Sequence, residues 1–515
     1  MQRPFSNLLR GAAFMLLSVM LSTQAMAAGT LRYATIGEPP SLDVHVGTAT
    51  IAATIGQHMF ETLYAFDSKY EPQPLLASGE KLEDGGRTII ISLRQGVTFH
   101  NGKELTAEDV VASLKRWGEH GARGKLLMAN AVSVDASGDY EVTLKLSEPN
   151  GAWKSMLAFP NGGPVIYPAE IVSAAGGNPI SPDNYIGTGP FRFKEWRANR
   201  YVELVKYDDY AALDSPADGY AGARVAEVDA VRFIPVPDVG TRVSGIQAGD
   251  YDYAEFISGD LYGTLKNDSS VRIHLSGAPI FGLVFVNSKH GLLKDNRLLR
   301  QAIQTALNKE EALRVSVGQE ELWDANGSFF PKGNIWYSEA GTEAYNEGDP
   351  EKARKMAEEA GYDGTPIKLL VSTNYKTHFD QATVFTRQLA DAGINVQMVV
   401  VDWATLLKKR AQPDQWDMFV THHGNIPDPI LLTALNDSYP GWWITEEKTK
   451  LKAEFTGTSD LDARREAWSK LQALIYEQVP TMKVGDVYSY NIASPKLKGL
   501  GDSTLIWPHF WGVSK

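Results

Sequence analysis

The chain reads as an α/β protein of at least two lobes, on three observations. Strand and helix signals alternate from end to end, helix–glycine–strand units recur in the second half, and 515 residues exceed what one hydrophobic core usually supports. In order, residues 31–36 form a short apolar strand, and residues 51–63 carry apolar side chains at helical spacing. The β-branched run TIIISL at Thr88–Leu93 is a strand, and Phe99, His100, Asn101 and Gly102 supply turn chemistry after it. A helix then begins at Thr106, which caps the first amides while Asp109, three residues on, answers as the acidic half of a capping box. Val110, Leu114 and Trp117 follow at helical spacing. Alternation of period two marks strands at 140–146, 191–195 and 201–205. Beyond them come a strand at 228–235, a short helix at 239–248 closed by Gly249, and an extended segment at 250–254. The second half opens on a buried-type strand, Ile280–Val286, then a helix at 297–307 and a helix at 351–360 stopped by Gly361. A strand at 367–371, a long helix at 379–392 ending at Gly393 and a strand at 395–401 follow.

Composition sets the outer bounds. Hydrophobic residues make up 43% and aromatic residues 10%, as in a globular protein with a large core. Residues 1–27 read as an export signal: Arg3 and Arg10 flank a basic start, residues 11–21 are apolar, and Ala25, Met26 and Ala27 suit a cleavage site after Ala27. That apolar run is too short to span a bilayer comfortably, and no second candidate follows, so no membrane insertion is expected. Cleavage there takes the formal charge from −12 to −14, because only Arg3 and Arg10 are lost. Such acidity argues against nucleic acid as a partner. The chain has no cysteine, which excludes disulfides, thiolate nucleophiles, zinc–sulfur sites and a lipid-anchored N-terminal cysteine. A freely diffusing periplasmic protein is expected.

Enzyme motifs are missing. Gly-x-Ser-x-Gly, His-Glu-x-x-His and Walker-type loops do not occur, and Gly187-Thr188-Gly189-Pro190 lacks the later glycine of a dinucleotide loop. No catalytic residue, metal or cofactor is expected. The paired acids Glu358/Glu359, Glu446/Glu447 and Asp208/Asp209 read as solvated surface.

The segment at 93–117, LRQGVTFHNGKELTAEDVVASLKRW, resembles the signature of the family 5 extracellular solute-binding proteins, the peptide, nickel and opine receptors of bacterial ABC importers. Further family-like blocks occur in order at 38–43 (EPPSLD), 187–191 (GTGPF), 298–307 (LLRQAIQTAL), 349–362 (DPEKARKMAEEAGY) and 416–429. The resemblance implies a two-lobed periplasmic binding protein fold, type II and cluster C-like, with an extra subdomain in lobe I and a ligand cleft between the lobes. Carried onto this chain, lobe I is 28–66, 187–270 and 486–515, its subdomain 67–186, and lobe II 271–485. The signature then falls in the subdomain, away from the cleft.

The best functional cluster is 416–429, WDMFVTHHGNIPDP. A short strand at 418–421 delivers His422, His423, Gly424 and Asn425 to its carboxyl end, where open α/β sheets present ligand loops. In peptide receptors of the family, the residue after the equivalent glycine is commonly an aspartate that pairs with the peptide ammonium. Here it is Asn425, and a neutral amide can accept from an ammonium without neutralising it. Asp428 is an alternative partner, although Asp before Pro is also a common turn opener. Adjacent strand residues face opposite ways, so His422 and His423 do not share a metal. Aromatic walls with a few polar groups typify small-molecule clefts. Trp403, Tyr375, Trp336 and Tyr337 are wall candidates, Trp442 and Trp443 suit core packing or a ligand platform, and the resemblance adds Phe281, in the hinge-side segment 279–282 that lines family clefts. Lys376 or His378 could meet a carboxylate, and Gly47 and Thr48 lie in a lobe I loop that lines family clefts.

The expected function is capture of a peptide or peptide-like solute, by a monomer, for delivery to ABC permease subunits. An opine, a sugar conjugate or an oligosaccharide is the alternative that Asn425 suits. A metal-chelate or haem receptor, suggested by the two histidines, and an exported hydrolase are the remaining classes.

Overall fold

The computed structural model describes residues 29–501 and 505–515; the expected export signal at 1–27 lies outside them. Two large sheets organise the chain. The first has seven strands, in the order Arg272–Leu275, Tyr490–Ala493, Tyr253–Ala254, Thr30–Thr35, Ala230–Pro235, Tyr201–Lys206 and Phe191–Arg197. The second has six: Trp323–Asp324, Thr481–Val487, Ile280–Val286, Met418–His423, Ile367–Ser372 and Val396–Val401. A smaller four-stranded antiparallel sheet takes Ala77–Glu83, Thr88–Leu93, Glu141–Leu146 and Ala131–Gly138.

The chain crosses between the two large sheets twice. It leaves the first at Leu275 and enters the second at Ile280; it leaves the second at Val487 and returns to the first at Tyr490. The crossings lie side by side, with the Ser276 amide donating to the Ser489 carbonyl at 2.9 Å. Strand Arg272–Leu275, placed by the expected boundary in lobe II, therefore belongs to the first sheet, and Thr481–Val487 runs two residues past the expected end of lobe II.

Local chemistry explains most elements. The helix Ala107–His120 carries the expected capping box, the Thr106 amide donating to Asp109 Oδ2 at 3.0 Å. Gly249 closes Val239–Ala248 in the left-handed region at φ 80°, where glycine carries no Cβ penalty. One expectation fails: the helical spacing at 51–63 yields a helix only over Thr50–Gly56. Beyond it the backbone turns to pair with the GTGPF block, whose Gly189 and Phe191 amides donate to the Met59 and His58 carbonyls at 2.9 and 3.0 Å. Met59, Phe60 and Leu63 are buried from this irregular segment instead. Gly187 is required there, since a Cβ would sit 2.2 Å from the Met59 carbonyl oxygen. Four helices in the second half, Lys309–Ser316, Trp403–Arg410, Glu446–Thr456 and Leu461–Gln478, lie outside those the sequence predicts.

The helix at 107–120 also ties the small sheet to the first large one. Arg116 makes a buried two-pronged pair with Asp43 of the EPPSLD block, Nη1 to Oδ1 at 3.1 Å and Nη2 to Oδ2 at 2.6 Å. Trp117, fully buried, donates its indole N–H to the Gly162 carbonyl at 2.7 Å.

Candidate ligand cleft

A cavity of about 340 Å³ lies at the two crossings. Ser276, Ile280 and Ser489 of the crossings line it, with Thr48, Glu255, Phe256 and Asn491 on the side of the first sheet. Gly424 and Asn425 close it from the second sheet, and Arg123, Phe159, Asn161 and Trp507 complete the wall. The volume lies within the roughly 300–1,000 Å³ of small-molecule sites.

Of the residues expected from sequence, Thr48, Gly424 and Asn425 reach this cavity. Thr48 is held there by Asn161, whose Nδ2 donates to the Thr48 carbonyl at 3.1 Å. Gly47 packs close behind: its carbonyl lies 3.4 Å from where a Cβ on Gly162 would stand, a position at φ 60° where Thr48 also leaves no room. Asn425 donates its amide nitrogen to the Tyr70 hydroxyl, which leaves Oδ1 as an acceptor.

The other candidates are placed elsewhere. The strand Met418–His423 includes both histidines, which face opposite ways as the pleat demands. His423 stacks on Phe281, centroids 5.4 Å apart and planes at 7°, and Phe281 is 2% exposed in the core of the second lobe, so it is no ligand wall. His422 joins Tyr375, His378 and Trp403 in a ring cluster with centroid separations of 4.8–6.1 Å. His422 Nδ1 and His378 Nε2 are 3.1 Å apart. Burial, reinforced by His422, pushes His378 down to about 3, and burial also lowers both strand histidines. Lys376, largely exposed, pairs with Asp380 on its own helix. Trp336 and Trp443 are core residues.

Asp428 is the clearest correction. It is fully buried, accepts from the Ile430 amide at 3.1 Å, and meets Arg464 Nη2 with both oxygens at 2.9 Å. Its carboxylate is committed to holding the turn. The signature at 93–117 needs a correction too: its helix stands directly behind the cavity wall through Trp117 and Gly162, and Arg123 lines the cavity six residues after that tryptophan.

Sequence reasoning missed the most polar part of the wall. Glu255 accepts from the Tyr33 hydroxyl at 2.6 Å and the Ile36 amide at 2.9 Å, and burial raises its pKa. Phe256 beside it is 43% exposed with φ 48°. That left-handed backbone is sterically costly for a bulky side chain. Arg242 donating to its carbonyl at 3.0 Å, and its own amide donating to Asn491 Oδ1 at 2.9 Å, hold it in place. Arg123 lies over the Phe159 ring at 4.4 Å, has no carboxylate partner among the described residues, and is lowered to about 10 by burial. Nothing near these residues in the sequence marks them; only the fold gathers them. Among the described residues no three His, Asp or Glu side chains converge as a metal site, and no helix is long and apolar enough to cross a membrane.

Two sheets joined by paired crossings, with a cavity at the crossings, define a two-lobed binding-protein fold. The chain belongs to the bacterial extracellular solute-binding proteins, family 5, whose model matches residues 71–439. It is 27% identical to the probable peptide ABC transporter periplasmic-binding protein y4tO of Sinorhizobium fredii, over 99% of this chain and 98% of that one. Among solved structures, HbpA2 from Haemophilus parasuis superposes with a TM-score of 0.81 at 22% identity, covering 94% of this chain and 99% of that one. AgaA from A. tumefaciens R10, in complex with agropinic acid, matches at 0.70 and 23%, over 94% and 97%. The family is one of substrate-binding receptors.

Proposed function

We propose that this chain captures a small polar solute, peptide or peptide-like, in the periplasm and presents it as a monomer to the transmembrane subunits of an ABC permease. The observation that carries the reading is the cavity at the crossings, walled from both sheets: a solute held there touches both lobes and the segments that join them. Such a ligand favours whichever arrangement of the lobes completes its contacts, and that arrangement is what a permease can recognise. Thr48, Gly424 and Asn425 are the contacts we assign from the expected set, with Gly47 shaping the loop behind Thr48. Similarity to y4tO, described as a probable peptide transporter component, supports the peptide class.

An opine is the second reading, favoured by Asn425 at the place where an ammonium-neutralising carboxylate would stand. The lone carboxylate among the described lining residues, Glu255, is engaged by Tyr33 and Ile36. Native mass spectrometry of protein released from the periplasm, with thermal shifts against peptides, opines and oligosaccharides, tests both. A ligand at 100 times its Kd adds about 2.7 kcal/mol of stability, a readily measured shift. Absence of any adduct and any shift, or turnover of chromogenic esters, would refute the receptor reading.

A further inference from the structure

Three buried polar atoms on the cavity wall have no hydrogen-bond partner among the described residues: Arg123 Nε, Asn161 Oδ1 and Trp507 Nε1. They belong to one patch. Phe159 carries the Arg123 guanidinium on its face at 4.4 Å and stands 5.5 Å from the Trp507 ring; Asn161 follows two residues later. Asn161 and Trp507 are each 5% exposed. Buried polar atoms in folded proteins are nearly always satisfied, so a cluster of three orphans on a cavity wall, one of them on a half-buried guanidinium, calls for a ligand that supplies their partners.

The donor pattern specifies that ligand. Arg123 and Trp507 can only donate, and the first is charged, so they call for an anionic acceptor. Asn161 has given its amide nitrogen to Thr48, which leaves Oδ1 as an acceptor that calls for an N–H. We propose that this patch recognises an N-substituted α-amino acid end, its carboxylate on Arg123 and Trp507 and the neighbouring N–H on Asn161. The C-terminal residue of a peptide and the amino-acid half of an opine both carry this pair. A neutral sugar carries neither. The inference rests on the receptor reading and narrows it: the solute is anchored by its carboxyl end on the side of Arg123, leaving Asn425 to meet another part.

Calorimetry with a dipeptide and its C-terminal amide, an N-carboxyalkyl amino acid and its methyl ester, and a neutral maltotriose tests it. The wild type should bind a free acid at least tenfold more tightly than the matching amide or ester. R123A should abolish that preference, chiefly by weakening the acid, and R123K should restore part of it. Unliganded R123M should melt no lower than the wild type, because it removes a half-buried cation that has no carboxylate partner among the described residues. Equal binding of acid and amide by the wild type would overturn the inference, as would an R123M that melts lower and weakens both alike. Binding of maltotriose alone would also overturn it while leaving the receptor reading standing. If no probe binds and no molecule co-purifies, the receptor reading falls and the inference with it.

Discussion

Replacing Asp428 separates a structural carboxylate from a ligand contact. Arg464 is 4% exposed at its side chain and Asp428 1%, and one guanidinium nitrogen sits 2.9 Å from both carboxylate oxygens. In D428A the guanidinium stays trapped between the Trp336 and Phe455 rings, 4.8 and 4.2 Å away, with the Phe455 carbonyl as a remaining acceptor. Leaving one half of a buried pair in this way costs about 3–5 kcal/mol. D428N keeps one acceptor for Ile430 and Arg464 but turns its amide N–H₂ toward the guanidinium and leaves that cation unneutralised, so its loss should approach that of D428A. Against a total stability of about 5–15 kcal/mol, both changes are large. Urea unfolding followed by tryptophan fluorescence reads them as a lowered midpoint at constant slope. A D428A loss below about 1 kcal/mol, or a hundredfold loss of affinity at unchanged midpoint, would show that Asp428 serves the ligand and that its place in the core is misjudged.

N425D adds a second carboxylate to the cavity, beside Glu255, with Tyr70 able to donate to it. Peptides with a free amino terminus should bind about tenfold more tightly than to the wild type and N-acetylated ones should not, since an ionised acceptor about doubles the bond; titration of both checks this. His378 takes a proton only near pH 3, whereas an unfolded histidine takes it near 6.5, so acid favours unfolding through that window. Between pH 7 and 5 it removes about 2 kcal/mol, at 1.36 kcal/mol per unit over the 1.5 units below 6.5. H378Q should therefore show a flatter decline in unfolding free energy over that range. G187A drives a methyl group into the Met59 carbonyl and should lower stability by about 1–3 kcal/mol or more, with the melting temperature as the measure.

Strands and helices with strong local signals were legible in advance: Ile280–Val286 and Thr88–Leu93 match residue for residue, and the Thr106–Asp109 cap forms as its spacing requires. Where tertiary pairing competes with local pattern, reading failed. Residues 57–63 keep helical spacing, yet His58 and Met59 give their carbonyls to the GTGPF block, a contact more than 120 residues distant that no window of sequence displays. The site divides along the same line. Gly424 and Asn425 fall in the family-like block 416–429, Thr48 in the loop that follows the block 38–43, and all three reach the cavity. Arg123 and Trp507 come from a short helix and from the tail, and neither carries a mark until the fold lays both beside Phe159. Asp428 and Phe281 misled because a polar or aromatic residue near a cleft looks the same in sequence whether it faces the ligand or the core.

The threading of the first sheet has a consequence for how the protein comes into being. Tyr490–Ala493 is inserted between Arg272–Leu275 and Tyr253–Ala254, so the sheet cannot be completed until nearly the whole chain is available. The second sheet uses residues 280–487, and its strand Thr481–Val487 must likewise arrive before that sheet is whole. Pairings that span over 200 residues are slow to form because loop closure must precede their reward. A chain lacking residues 490–515 would hold a finished second lobe beside a first sheet with an open slot, its exposed strand edges available to any neighbour. Assembly of the first lobe is thereby coupled to arrival of strand Tyr490–Ala493, and until then its open edges are exposed to aggregation and proteolysis.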